Sequence, residues 1–595
     1  MKQFFKMMFA STLGALVAMG LAIIILVFIG IGMAASMGRA ESSPFVPKPN
    51  TVYKLSLNGA ILENVEENPF AALFGEGSEL GLSLKDIVRT IRLAKNDKNV
   101  SGIYLKAGTL FSAGVATIDV IRRELIDFKG DGKFVIAYAD NYTQGSYYLC
   151  SAADKVFMNP MGLLLFTGRS AQYEFYKGLG DKLGVEFMVF KAGTYKGAVE
   201  PFMLDKLSDE NREQITSYQG EMWTHIMKNV ADSRGITVDA INTFVDKAGF
   251  IGGQEMAVEA GLIDSLKYET EVETYIKDQA EQSDKRLRVV GIDKMNRMKE
   301  ERNKSKNKIA VLYAEGEIAS KTAASPFLSS SGVNEDMVAA LIKLKEDEDT
   351  KAVVLRVNSP GGSAYVSEQI WHEIVELKKV KPIVVSMGNV AASGGYYISA
   401  PATKIFAEPT TITGSIGVFS LLPNMAGLYQ KLGITTDEVN TNKYSSFPTL
   451  TRPWRDDEKA LMQAHIMRMY DTFLTRCSDG RSKTKEEIDL IGQGRVWTGK
   501  QALERGLVDE LGGLDDAISA AADLAMVGED YKIEYAASKK DFLTQILERQ
   551  LVKVKVKMLE DMIGPEMLEQ MQTVRHIRSQ SGVQARLPYE FQEVL

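Results

Sequence analysis

The first long pattern in the chain is an uncharged run. No charged residue falls between Met7 and Gly38, and Leu13–Met33 is almost wholly apolar. About 20 apolar residues suffice to cross a bilayer, so the pattern predicts one transmembrane helix. A secretory h-region is shorter, about 7–15 residues, and ends at a cleavage site. Met33-Ala-Ala-Ser offers such a site, but the length of the run favours an uncleaved signal anchor. Lys2 and Lys6 precede the span, which predicts a cytoplasmic N-terminus with everything after Arg39 across the membrane. Glu41–Asn50 then reads as a polar linker, and Thr51–Leu62 alternates like a strand. Helical spacing over Leu84–Lys95 and Ala116–Phe128 is interleaved with apolar runs at Gly102–Lys106 and Lys133–Ala139. Strands alternating with helices predict a parallel sheet with helices on its faces, an α/β fold.

The same order returns. Lys308–Ile318, Ala352–Val357 and Pro382–Val385 read as strands, with helices over Met337–Lys345 and Ser367–Lys378 between them. A shift of 249 positions lays one half on the other: Gly145 on Gly394, Tyr147 on Tyr396, Tyr148 on Tyr397, Lys155-Val-Phe on Lys404-Ile-Phe, Pro160 on Pro409, Gly168 on Gly417 and Tyr195 on Tyr444. The register holds without a gap for roughly fifty residues, the signature of an internal repeat. The departures from the repeat carry the information. Ser393 falls on Gln144, Lys196 falls on Ser445, and the Ser359-Pro-Gly-Gly362 turn has no counterpart in the first half. Each half thus retains a different part of what could be one site. The predicted organisation is an anchor region (1–40), a first domain (41–283), a charged linker (284–307), a second domain (308–537) and a helical extension (538–595). Within the extension, Asp541–Met571 is amphipathic and suits packing, oligomer contact or a membrane surface.

The chemistry centres on Val384–Ser399, VVSMGNVAASGGYYIS. A β-rich run feeds a small-residue turn, predicted over Gly388–Gly395, and Tyr396–Ile398 reads as the start of a helix. Ser393 sits in that turn. Such a turn exposes a hydroxyl, and small neighbours admit a substrate backbone; a helix-capping serine fits the same pattern. A serine needs a base, and none of the four histidines lies beside this turn in sequence. A lysine serves if burial lowers its pKa from about 10.4. Lys196, in Phe190-Lys-Ala-Gly-Thr-Tyr-Lys-Gly-Ala-Val-Glu-Pro201, has small and apolar neighbours, although a solvated surface is the commoner fate of lysine. Asn358-Ser-Pro-Gly-Gly-Ser363 follows a strand and precedes a helix, which suits backbone N–H groups aimed at an oxyanion. A phosphate cradle competes, but no Gly-Lys-Ser/Thr follows.

Composition narrows the classes. A chain of 595 residues holds about three or four domains. A net charge of −7 leaves no basic footprint for nucleic acid. Two distant cysteines, Cys150 and Cys477, read as free core thiols, and the absence of HExxH argues against zinc.

Three motifs in order, Asn358-Ser-Pro-Gly-Gly, Ser386-Met-Gly-Asn-Val-Ala-Ala-Ser-Gly-Gly-Tyr-Tyr and Thr413-Gly-Ser-Ile-Gly, together with Gly193-Thr-Tyr-Lys-Gly-Ala-Val-Glu-Pro, closely resemble the signal peptide peptidase A (protease IV) family in its long, duplicated form. The resemblance covers nearly the whole chain. It implies two tandem crotonase-like (ClpP-like) α/β domains behind the anchor, and a serine–lysine dyad shared between them. It also implies a homotetramer on the outer, periplasmic face of the inner membrane. Carried over residue by residue, Ser393 is the nucleophile, Lys196 the general base and Ser415 the serine that orients the lysine. Gly361 and Gly362 match the oxyanion turn, without distinguishing which of them donates. Asn389-Val390 departs from the family in a variable stretch. The implied substrates are remnant signal peptides and other apolar peptide segments, with no cofactor and no metal. A catalytically silent membrane-anchored scaffold and a crotonase-type acyl-CoA enzyme are the competing readings.

Overall fold

The computed structural model describes residues 44–65, 81–300, 303–321, 332–536 and 584–586, and Gly14. Apart from Gly14, the predicted span within 1–40 lies outside these residues, as does the amphipathic Asp541–Met571. Among the described residues no helix is long and apolar enough to cross a membrane.

Each half is a mainly parallel sheet between helical layers; in the second, Val496–Thr498 pairs antiparallel with Ile412–Gly414 at the edge. In the first, the strands run in the order Val289–Val290, Thr51–Leu62, Val100–Ser112, Phe134–Ala139, Lys155–Met158, Ser265–Leu266. In the second, Lys532–Ala536, Lys308–Glu315, Thr350–Ser359, Ile383–Ala392, Lys404–Ala407 and Glu510–Leu511 follow the same order. The repeat seen in the sequence is therefore a repeat of topology, and Lys155–Met158 and Lys404–Ala407 are equivalent strands.

Strand periodicity explains the layers. In the second sheet Ala310, Leu312, Val353, Leu355 and Val385 face the helices Asp336–Glu346 and Ala364–Lys378. Their neighbours Ile309, Val311, Ala352, Val354 and Val384 face Leu514–Leu524 on the other side. Both faces are covered, so these strands are apolar almost throughout. In the first sheet Tyr53, Leu55, Ile103 and Val135 pack on one side, and Val52, Tyr104 and Ile136 pack against Glu269–Gln279 on the other.

Two expectations are corrected. The strand Ile383–Ala392 continues through the region read as a turn from Gly388, because Val390, Ala391 and Ala392 pair with Ile412–Gly414. The break is confined to Ser393. Part of the charged connector also belongs to the first sheet, since Val289 and Val290 pair with Val52 and Tyr53.

The halves meet through hydrogen-bonded contacts. Arg123 and Glu408 form a two-pronged pair at 2.8 and 2.6 Å. Asn389 donates to Thr117 Oγ1 at 2.7 Å and accepts from the Thr117 amide at 3.0 Å. A separate four-stranded sheet joins Gly361–Ser363, Gln584–Arg586, Val418–Asn424 and Glu186–Ala192. In it, Glu186–Ala192 of the first half runs antiparallel to Val418–Asn424 of the second over seven residues.

Candidate active site

Ser393 closes the central strand of the second half and opens the short helix Gly394–Ser399. Its backbone is at φ 54° and ψ −113°, a conformation costly for a residue with a side chain. The surroundings hold it there: its amide donates to Gly414 O at 2.8 Å, and its carbonyl accepts from the Tyr397 amide at 2.8 Å. The following glycine is sterically required, because a Cβ on Gly395 would stand 2.6 Å from Ser359 O.

Lys196 arrives from the other half. The antiparallel strand Glu186–Ala192 delivers the loop Gly193–Gly197 onto the second half's Gln493–Arg495 turn, where the Tyr195 amide donates to Gln493 O at 2.8 Å. The fit is close, since a Cβ on Gly494 would lie 2.6 Å from that of Lys196. Lys196 is fully buried. Its Nζ lies 2.8 Å from Ser393 Oγ, 2.9 Å from Ser415 Oγ and 3.1 Å from Ser415 O. All three partners are neutral oxygens. Burial without a compensating carboxylate holds the amine's pKa well below its usual value. A neutral amine has two N–H groups and one lone pair, which match two acceptors on Ser415 and the hydroxyl proton of Ser393. This arrangement can take a proton from a serine.

Ser415 is held in a left-handed conformation, φ 51°, with its amide donating to Arg495 O at 2.7 Å. Gly361 and Gly362, with φ of 96° and 150°, border the same space. A Cβ on Gly361 would lie 2.6 Å from the Gly394 amide nitrogen, so only glycine leaves this approach open. The five predicted residues thus come together from both halves. Their repeat equivalents do not form a second site: Gln144 spends its Oε1 on the Gly168 amide at 2.9 Å, and Ser445 is exposed. Both cysteines are buried and free, and burial pushes both thiols up. Among the described residues no group of three or more His, Cys, Asp or Glu is placed to hold a metal ion.

The family model described as peptidase family S49 matches residues 127–283 and 375–528, once in each half. The chain belongs to peptidase family S49. The Clp protease model also matches residues 301–412, which assigns the ClpP-like fold. "Protease 4" of Salmonella typhi is 34% identical over 552 residues, 88% of this chain and 86% of the relative. "Protease 4" of Haemophilus influenzae is 34% identical over 500 residues, 81% and 80% of the two chains. "Serine protease SPPA, chloroplastic" of Arabidopsis thaliana is 31% identical over 458 residues, 76% and 67%. The chain is a serine protease of the S49 family.

One residue of this S49 peptidase site escaped the sequence reading. Gln214, on the helix Asp209–Arg234, is 1% exposed. It donates to Tyr195 O at 2.9 Å and accepts from the Val496 amide at 3.0 Å, clamping the lysine loop to the second half. Asn211 and Glu200 extend the network behind it. Replacing Gln214 by alanine strands the buried Val496 amide, at about 1–3 kcal/mol, and removes the bond to the partly buried Tyr195 carbonyl. Peptidase turnover should fall about tenfold or more with little change in KM. Steady-state kinetics on an apolar peptide check this, and unchanged turnover in a folded variant would remove Gln214 from the positioning network.

Proposed function

We propose that this chain is a membrane-anchored serine endopeptidase that degrades signal peptides left in the membrane after secretion. Ser393 is the nucleophile and Lys196 its general base. The observation that carries this reading is the fully buried Lys196 amine 2.8 Å from the Ser393 hydroxyl, with neutral oxygens as its partners among the described residues. Ser415 occupies the amine's two other contacts and aims its lone pair at Ser393.

On attack, the Ser393 proton passes to Lys196 and Oγ bonds to the substrate carbonyl carbon. The oxyanion is met by backbone N–H groups. Gly361 already donates to Ser359 Oγ at 3.2 Å, which favours Gly362 as the donor from its loop. The Gly394 amide, in the first helical turn, has no intrahelical acceptor and serves as the second. Collapse expels the amine, which takes the proton from Lys196, and water then releases the acyl group by the reverse path. Apolar, single-stranded peptide substrates suit a site walled by backbone edges and small residues. The uncharged run within 1–40 supports an anchor in the inner membrane with the catalytic halves on the periplasmic side, and the family resemblance supports a homotetramer.

The test is cleavage of a synthetic signal peptide as a function of pH. A protonated amine cannot accept the serine proton, and burial lowers the pKa of Lys196. Activity is therefore present above that lowered pKa and lost as pH falls through it. Lys196→Arg stays charged at every working pH and should be silent throughout. A profile flat from about pH 5 to 10 would overturn Lys196 as the base.

A further inference from the structure

Arg495 sits at the junction where the first half's lysine loop meets the second half. Its backbone carbonyl accepts from the Ser415 amide at 2.7 Å. Its guanidinium lies over two rings, 4.6 Å from the centroid of Tyr195 and 4.5 Å from that of Trp497. Nη1 donates to the Tyr195 hydroxyl at 3.2 Å, and Nη2 donates to Glu213 at 2.7 Å. The Tyr195 hydroxyl donates in turn to the other Glu213 oxygen at 3.2 Å. Arg505 lies over the Trp497 ring as well, at 3.7 Å. Nε of Arg495 is buried and has no hydrogen-bond partner among the described residues. A bare buried donor is costly, so the side chain is held here by its rings and its two outer nitrogens.

The repeat ties this cluster to the lysine. Laying Ala260-Gly-Leu-Ile-Asp264 on Arg505-Gly-Leu-Val-Asp509 and extending back without a gap puts Phe250 on Arg495. The arginine is thus present in the half that faces Lys196 and replaced in the half that carries it. Tyr444, the counterpart of Tyr195, takes its acid and its arginine from its own half: its hydroxyl donates to Asp457 at 2.9 Å, and Arg455 lies 5.6 Å from its ring. At Tyr195 the acid comes from the first half and the arginine from the second. Tyr195 and Lys196 are adjacent in the chain, one half-buried and the other fully buried. A ring pinned on the outside therefore fixes the amine on the inside. Ser415, whose amide hangs on the carbonyl of the same arginine, supplies the amine's two other contacts. One residue so borders both sides of the Lys196–Ser415 contact.

We propose that Arg495 is a positioning residue of the peptidase, holding the Lys196 amine and Ser415 in one frame through Tyr195 on one side and its own carbonyl on the other. This rests on the peptidase reading above. Arg495 acts through placement and not on the reacting atoms. Each of its contacts is modest, but placement is demanding, since a shift of about 1 Å at a reacting group costs about a hundredfold in rate. Without the guanidinium the lysine loop loosens and water reaches the amine. Hydration favours the ammonium, so the lysine's pKa, held low by burial, rises toward its ordinary value. The acid limb, on which activity is lost as pH falls, then moves to higher pH.

Steady-state cleavage of a synthetic apolar peptide as a function of pH, with thermal midpoints, tests this on the full-length wild type, Arg495→Met and Tyr195→Phe. Arg495→Met keeps the apolar stem and removes the guanidinium. Its kcat should fall about tenfold or more with KM within about twofold, and its acid limb should lie about one pH unit above that of wild type. Tyr195→Phe keeps the ring under the guanidinium and loses the two hydroxyl contacts, so its limb should move the same way by less. It decides the matter where Arg495→Met does not fold. An acid limb that stays in place in every folded variant, whatever the thermal midpoint does, overturns the positioning role and makes Arg495 a structural bond between the halves, with the peptidase reading still standing. A change in KM alone overturns it as well. A folded wild type inert toward the peptide overturns the peptidase reading, and the positioning role falls with it.

Discussion

Ser393→Ala and Lys196→Ala, each alone, should lower peptide cleavage by about four to six orders of magnitude. The two groups touch at 2.8 Å and act on one proton, so neither is useful without the other. The double variant should consequently be no slower than either single one, since groups acting as a unit are not additive. Both groups come from one chain, 197 positions apart and joined across the two halves. Mixing the two inactive variants should leave the mixture inactive, whereas recovery would mean that a site is built between chains. Lys196→Met keeps most of the side-chain volume and removes an amine that burial already disfavours as a cation. It should be as inactive as Lys196→Ala with the thermal midpoint near that of wild type. If Lys196→Met retains full activity, the base lies elsewhere and the halves do not share a site.

The parts of this site legible in the sequence were those with a local signature. Ser393 was legible because glycine and alanine surround it at a strand end, and because the aligned position in the first half, Gln144, is a different residue. Lys196 was legible only by its loss from the repeat at Ser445 and by its motif. What sequence could not give was the route by which they meet. The pairing of Glu186–Ala192 with Val418–Asn424 has no local mark, since any two amphipathic strands could pair. Gln214 sits on an ordinary helix, and only the backbone groups it reaches, on Tyr195 and Val496, give it a role. Glycine and alanine at 388–392 have the composition of a loop, and only the neighbouring strand Ile412–Gly414, distant in sequence, supplies the pairing that keeps Val390–Ala392 extended. Asn389, a departure from the family pattern, is explained by its two hydrogen bonds to Thr117.

Glu63→Ala should produce the largest loss of stability. Glu63 follows the first strand of the first half and is 4% exposed; Arg356, on the strand leading to the glycine loop, is 2% exposed. Their contact is two-pronged, at 3.0 and 2.9 Å. Arg356 also donates to Ser386 Oγ at 2.8 Å and Met387 O at 3.0 Å, on the strand that ends at Ser393. One guanidinium thus ties the first half to both strands that build the site. Removing the carboxylate leaves a buried cation unpaired, at about 3–5 kcal/mol. The thermal midpoint should fall sharply, and activity should fall with it as the glycine loop and Ser393 lose their common anchor. Replacing both partners, Glu63→Leu with Arg356→Met, removes the charges together and should recover most of the stability, because a buried pair contributes little net once its desolvation is counted. Activity should recover less, since the bonds from Arg356 to Ser386 and Met387 are not restored. If Glu63→Ala unfolds like wild type, the pair does not hold the halves together, and the strand pairing of Glu186–Ala192 with Val418–Asn424 carries that task with the Arg123–Glu408 and Asn389–Thr117 contacts.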